Sequence, residues 1–335
     1  MLSRRIIGFS CIALLCGLFV TARARRTVCT GFLPPNSMRI PVGALRVGAD
    51  GAVGGLNEAQ YNAVMDHLQK IYGPIVASLG GTLQINRLWT DPTVNSSAQR
   101  EGTTYVLNMY GGLARHPAIT QDGETLVACH EMSHHLGGAP KEKYYNSWAT
   151  NEGQSDYAGV LKCLRLMFAD GGSTQFTRAT ASDPVAEKAC QVFKDPKDQT
   201  LCVRSAMAGM SVTALFKDLS HAAKDARFDT PNTAVVQQTN DEHPEMQCRL
   251  DTYFQGSLCT QPVSAKQSDT DPATGTCTFS QGYKVGMRPL CWYKPESGEL
   301  VGLVSRPTAA AQVGAAISKS SGLSLLQSVA PWQGL

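Results

Sequence analysis

The sequence predicts an α+β fold, mainly helical with a small sheet, followed by a small disulfide-containing C-terminal region. Three observations predict it. Apolar residues recur at helical spacing over Tyr61, Val64, Leu68, Ile71 and Ile75, and again over Tyr157, Val160, Leu161, Leu164 and Met167. Two short runs, 82–90 and 103–110, read as strands between those helices. Cysteines crowd the C-terminal half of the chain. With 335 residues, 43% hydrophobic and 17% charged, the chain has the material for one large domain or two modest ones and the composition of a folded protein.

The N-terminus reads as a secretory signal. Arg4 and Arg5 precede an apolar run from Ile6 to Val20, 15 residues long and short for a membrane span. Thr21-Ala22-Arg23-Ala24 then offers an Ala-x-Ala cleavage site, so residues 1–24 are expected to leave an exported chain that begins near Arg25. Retention as an anchor, with Arg23, Arg25 and Arg26 acting as a stop, is the alternative. Without the first 24 residues the chain carries 27 basic and 27 acidic residues, so the basic pI belongs to the leader. That balance argues against a nucleic-acid partner, which needs a persistent basic face.

Nine cysteines remain after residue 24: Cys29, Cys129, Cys163, Cys190, Cys202, Cys248, Cys259, Cys277 and Cys291. In an exported chain they imply disulfides formed in an oxidising compartment, periplasmic or extracellular, with one thiol left over. Spacing suggests Cys190–Cys202, Cys248–Cys259 and Cys277–Cys291 as local loops, although sequence does not determine connectivity. No C-x-x-C pair occurs.

Taken in order, residues 27–56 are rich in Gly and Pro and read as irregular lead-in. Asn57 to Leu79 reads as a helix, capped by Asn57, kinked at Pro74 and ended by Gly80-Gly81. Asp91 to Gly102 reads as a polar turn region between the two strands. The second strand lies just before the next helix, so Tyr105 to Gly112 is expected to offer an edge to an extended peptide. Thr125 to Leu136 reads as a helix capped by Asp122 or Thr125, closed by Gly137-Gly138 in left-handed geometry and stopped by Pro140. Asn151 to Phe168 is a further helix, and 184–225 is helical with a break near Asp195 to Lys197. After Gln261 the chain becomes Ser/Thr/Asp-rich and reads as a linker to a small disulfide-closed hairpin. The expected organisation is thus 1–24 leader, 25–260 main domain and 261–335 linker and C-terminal region.

The chemistry concentrates in Ala128-Cys129-His130-Glu131-Met132-Ser133-His134-His135-Leu136-Gly137-Gly138. It contains His-Glu-x-x-His. Residues four apart share a helix face, so His130 and His134 can present two imidazoles to one metal ion, and Glu131 stands beside them to accept a proton from a water. This is the zincin motif, whose preferred metal is zinc. A zinc site of this kind needs a third protein ligand. Position 140, where one extended form of the motif has a histidine, is Pro, which cannot ligate. The better candidate is Glu152, in Asn151-Glu152-Gly153-Gln154-Ser155-Asp156-Tyr157. Asp156, one turn on, is placed to accept the free ring N–H of a ligating histidine.

Glu152-x-x-x-Asp156 downstream of His-Glu-x-x-His resembles the gluzincin signature of the family that includes the CAAX prenyl proteases, HtpX and BepA. His243-Pro244-Glu245-Met246-Gln247-Cys248-Arg249 is similar to that family's His-Pro…Arg element. The resemblance covers roughly residues 100–255. It implies a zincin-like metallopeptidase domain with one catalytic zinc on His130, His134 and Glu152, Glu131 as general base, Asp156 in support, and His243 and Arg249 assisting the oxyanion. The chain departs from the membrane members in having a single N-terminal apolar run, so it looks like a soluble exported relative acting on a protein or peptide.

Other residues near the motif read more plainly. His135 is expected at the surface or behind the ligands, and His116 at a cleft rim. Tyr144, Tyr145 and Trp148 are candidates to line a pocket, with packing as the simpler reading. A Cys129–Cys163 bond would staple the two ligand-bearing helices. The alternative to a zinc endopeptidase is a non-catalytic zinc-binding or disulfide-stabilised exported interaction protein.

Overall fold

A computed structural model describes residues 27–29, 31–44, 54–143, 148–169 and 182–295. The expected leader, Tyr144, Tyr145 and residues 296–335 lie outside the described residues.

Helix α1 (Glu58–Ser78) starts where the Gln60 N–H donates to the Asn57 side chain and the Asn57 N–H donates to the Gln60 side chain, a reciprocal cap. Tyr61, Val64, Met65, Leu68, Tyr72 and Val76 form its buried stripe, and it runs on through Pro74. Four strands follow the order β1-β3-β4-β2: β1 (Thr27–Val28), β2 (Thr82–Leu88), β3 (Ser96–Glu101) and β4 (Thr104–Tyr110). β4 pairs parallel with β2 and antiparallel with β3, and β1 pairs antiparallel with β3.

Two expectations are corrected here. The turn region 91–102 contains β3, whose sequence Ser-Ser-Ala-Gln-Arg-Glu lacks the apolar alternation that marks a strand; Ser96, Ser97 and Gln99 are nonetheless buried, each with a side-chain partner. And β4 is central rather than an edge, so Tyr105 to Tyr110 has no free main chain to offer a peptide. On the side of β3 away from β4 sits β1.

After the short helix α2 (Gly111–Ala114) comes the motif helix α3 (Gln121–Leu136). Its cap is Thr120, whose hydroxyl accepts from the Gly123 N–H. Of the two residues expected there, Asp122 pairs with Arg204 and Thr125 bonds the Gln121 carbonyl. Gly137 is right-handed; Gly138, at φ 75°, takes the left-handed position. Helix α4 (Glu152–Ala158) opens with Asn151 accepting from the Gln154 N–H, then passes through a π-helical turn (Gly159–Leu164) into α5 (Arg165–Ala169). Next come α6 (Pro184–Ala189), one 3-10 turn (Cys190–Val192) and α7 (Pro196–Ser220), with Asp195 capping α7. Helix α8 (Met246–Leu258), not foreseen from the sequence, packs on α7 and α4.

The main core joins α1, one sheet face, α3 and α7, and a second apolar cluster joins α6, α7 and α8. α3 is thus enclosed, with 13 of its residues buried, from Gly123 to His135. Four disulfides form among the described residues: Cys129–Cys163, Cys190–Cys202, Cys248–Cys291 and Cys259–Cys277. The expected loops Cys248–Cys259 and Cys277–Cys291 are corrected. Cys248 and Cys259 stand near opposite ends of α8, too far apart along a helix to bond. Residues beyond Gln261 pack directly on the α4 region: the Tyr157 hydroxyl donates to the Gly286 carbonyl, and the fully buried Trp292 lies against Gly153. The fold is α+β and mostly helical, with a small sheet and a disulfide-tied C-terminal segment.

Candidate metal centre

His130 and His134 lie one turn apart on α3, and Glu152 opens α4 beside them. The three offer ligand atoms all within 4.8 Å of one another, and all three are buried. His130 Nε2 is 3.2 Å from one Glu152 oxygen and His134 Nε2 is 3.7 Å from the other. Each imidazole is oriented from behind. His130 Nδ1 donates to Asp156 Oδ1 at 2.8 Å, and His134 Nδ1 donates to the Thr150 carbonyl at 2.8 Å. With Nδ1 of each ring donating backward, both Nε2 atoms face the Glu152 carboxylate. This buried His-His-Glu group can bind a metal ion.

Asp156 is the hub behind it. It receives Arg249 Nε and Nη2, each at 2.8 Å, and the Tyr253 hydroxyl at 2.8 Å, in addition to His130. Arg249 Nη1 donates to the Phe32 carbonyl at 2.7 Å. Arg249, expected beside an oxyanion, is therefore placed behind the site as a brace for Asp156. His243 stays in front: its Nε2 lies 3.4 Å from a Glu152 oxygen and 2.6 Å from the Gly31 carbonyl.

Glu131 is fully buried. The Ser96 hydroxyl donates to its Oε1 at 2.6 Å, while Oε2 has no hydrogen-bond partner. Burial pushes the Glu131 carboxyl up to about 7. Burial would likewise neutralise Glu152, but His243, His134 and His130 outweigh it and hold the carboxyl well below its usual range. Burial lowers His134 to about 4. Burial also acts to lower His130, yet Asp156 and Glu152 raise it to about 9. A negative pocket that draws a proton onto a histidine equally favours a cation in its place.

Of the two positions expected for His135, the surface one is corrected. This residue is buried, stacked on Trp148 and beside Tyr105, with Arg100 Nε donating to its Nδ1. Trp148 therefore packs. His116 is also buried and sits 3.5 Å from Asp218. Sequence reasoning missed Ser96, Tyr253 and Phe32, whose ring meets His130 edge-on at 4.9 Å. Tyr253 was findable, standing four residues after Arg249 on one helix face; Ser96 and Phe32 reach the site through tertiary packing and leave no local pattern. Compared with known proteins, the chain matches no family model, no curated protein and no solved structure.

Proposed function

We propose that the protein is a zinc-dependent endopeptidase. The observation that carries the reading is the convergence of two oriented imidazole Nε2 atoms and one ionised carboxylate, with a second carboxylate, Glu131, beside them. Ligand atoms at about 2.0–2.1 Å from a tetrahedral zinc stand about 3.3 Å apart, close to the 3.2 and 3.7 Å separations here. Two histidines and one glutamate are also a donor set that leaves zinc a position for a reactant, whereas structural zinc is closed by four side chains. Zinc bound there supplies Lewis-acid activation of water and of a peptide carbonyl.

The chain's own residues supply the rest. Glu131, with a carboxyl tuned toward neutrality and one unpartnered oxygen, takes the proton from the attacking water and returns it to the leaving amine. His243 directs its Nε2 to the front of Glu152 and balances charge on the reacting carbonyl oxygen. Asp156, held by Arg249 and Tyr253, fixes the His130 ring.

The test is zinc per mole of purified protein, with casein cleavage, for wild type, His134→Ala and Glu131→Gln. One zinc in wild type and in Glu131→Gln, none in His134→Ala, and hydrolysis only in wild type is the expected pattern. Because the site is closed, a non-catalytic metal protein is the second reading. Folded, zinc-loaded wild type that cleaves nothing, even after its cover is loosened as described below, would favour it.

A further inference from the structure

The protein's own N-terminal segment lies across the site. β1 pairs antiparallel with β3, Thr27 opposite Arg100 and Val28 opposite Gln99. The ladder continues as Cys29 N–H donates to the Ala98 carbonyl at 2.9 Å and Phe32 N–H to the Ser96 carbonyl at 3.0 Å. Side chains at opposed positions share a sheet face. Cys29 therefore faces the same side as Ala98, and two residues along from Ala98 is Ser96, whose hydroxyl is on Glu131. Cys29 is 3% exposed, forms no disulfide, and lies within electrostatic reach of Glu152 and Glu131. Two residues on, the Gly31 carbonyl accepts from His243 Nε2 at 2.6 Å. That nitrogen is the one assigned above to a substrate carbonyl. All of His130, Glu131, His134 and Glu152 are at most 1% exposed.

We infer that residues 27–29 and Gly31 occupy the place of an extended peptide, and that the structure is a latent form which opens when this segment leaves β3. The inference rests on the peptidase reading. It explains why a site with ligands and a base is closed to water: β3 offers the sheet edge nearest Glu131, and the chain fills that edge with its own main chain in strand geometry. Ser96 to Glu101 is then the recognition strand for substrate, and the substrate is an unfolded polypeptide read chiefly through its backbone.

The experiment compares zinc-loaded full-length wild type with Cys29→Pro, Gly31→Val and Cys29→Ser. Proline deletes the N–H that bonds Ala98. A Cβ at Gly31, which has φ 95°, would lie 2.9 Å from the Ser96 carbonyl oxygen. Serine keeps the main chain and changes only the thiol. Expected for Cys29→Pro and Gly31→Val is about tenfold or more faster loss of zinc to a chelator and faster casein cleavage, as when a minor open state becomes the major one. Cys29→Ser should behave as wild type.

Alkylation of Cys29 in wild type provides a check that needs no variant: its rate should rise when casein is added. Folded Cys29→Pro and Gly31→Val proteins with wild-type zinc loss, or unchanged Cys29 alkylation during casein turnover, would overturn the inference. So would an equal release by Cys29→Ser, which would assign the closure to the thiol. Absence of zinc from every protein would overturn the peptidase reading together with it; zinc present without latency overturns the inference alone.

Discussion

The site shows how buried charge is tolerated residue by residue. Asp156 is fully buried, and burial works against its ionised form, but Arg249 and His130 outweigh that and hold its carboxyl low. Every lone pair in use meets a donor, which is the condition under which a buried carboxylate stabilises rather than strains a fold. Glu124, on the first turn of α3, is the contrast. It is 0% exposed, neither oxygen has a hydrogen-bond partner, and burial pushes its carboxyl up to about 8. A raised folded pKa means the native state binds the proton more tightly than the unfolded chain does. The stability linked to Glu124 is therefore fully present below the unfolded value near 4.5, falls as pH rises, and is lost once pH passes about 8. At about 1.4 kcal/mol per pKa unit the loss is on the order of a few kcal/mol. Glu124→Gln should match wild type in urea unfolding at about pH 4 and exceed it at about pH 9, values on either side of the titration. Equal pH dependence in the two proteins would show that Glu124 is not the group responsible.

At the scale of elements, the two ligand-bearing pieces, α3 and the α4–α5 helix, are joined covalently. Cys129 precedes His130, and its disulfide partner Cys163 lies in the π-helical turn downstream of Glu152. The bond closes 34 residues of chain. Loop-closure entropy assigns such a bond about 3–4 kcal/mol. The double substitution Cys129→Ala with Cys163→Ala should lower the urea unfolding free energy by about that much. It should also weaken zinc binding in a chelator competition, because the relative placement of His130 and Glu152 loses its staple. Unchanged zinc affinity in the folded double variant would mean that packing alone sets that placement.

Periodicity made α1 and α4 legible in the sequence, while His130, His134, Glu152 and Asp156 were legible because the i, i+4 spacings of His-Glu-x-x-His and Glu-x-x-x-Asp each map onto one helix face. β3 was illegible because its burial depends on partners contributed by α3 and β4. The pairing of β1 was illegible for the same reason. Cys248–Cys291 and Cys259–Cys277 escaped because helix α8 separates the cysteines that are nearest in sequence.

Over the whole molecule, the C-terminal segment is tied into the metal centre. Cys248–Cys291 fastens it to α8, Cys259–Cys277 fastens it beyond the end of that helix, and Trp292, the residue after Cys291, presses on Gly153. A Cβ at Gly153 would come within van der Waals overlap of the Trp292 ring, so the indole sets how closely the first turn of α4 is held, and Glu152 is the residue before it. Truncating a large buried aromatic costs about 3–5 kcal/mol wherever it lies. Global destabilisation and site coupling are therefore separated by a control in the other core. Phe228 is 1% exposed and packs on Phe254 in the cluster of α6, α7 and α8. Trp292→Ala and Phe228→Ala should lose similar stability, yet only Trp292→Ala should lower zinc affinity, by about tenfold, the lower bound typical of losing a ligand's supporting contacts. The measurement is zinc competition against a chromogenic chelator under conditions where both variants remain folded by circular dichroism. If both variants lose zinc affinity alike, the effect is general softening of the fold. If Trp292→Ala alone does, the C-terminal segment is a working part of the metal centre, and Glu152 is positioned from two sides, by the α3 staple and by the Trp292 buttress.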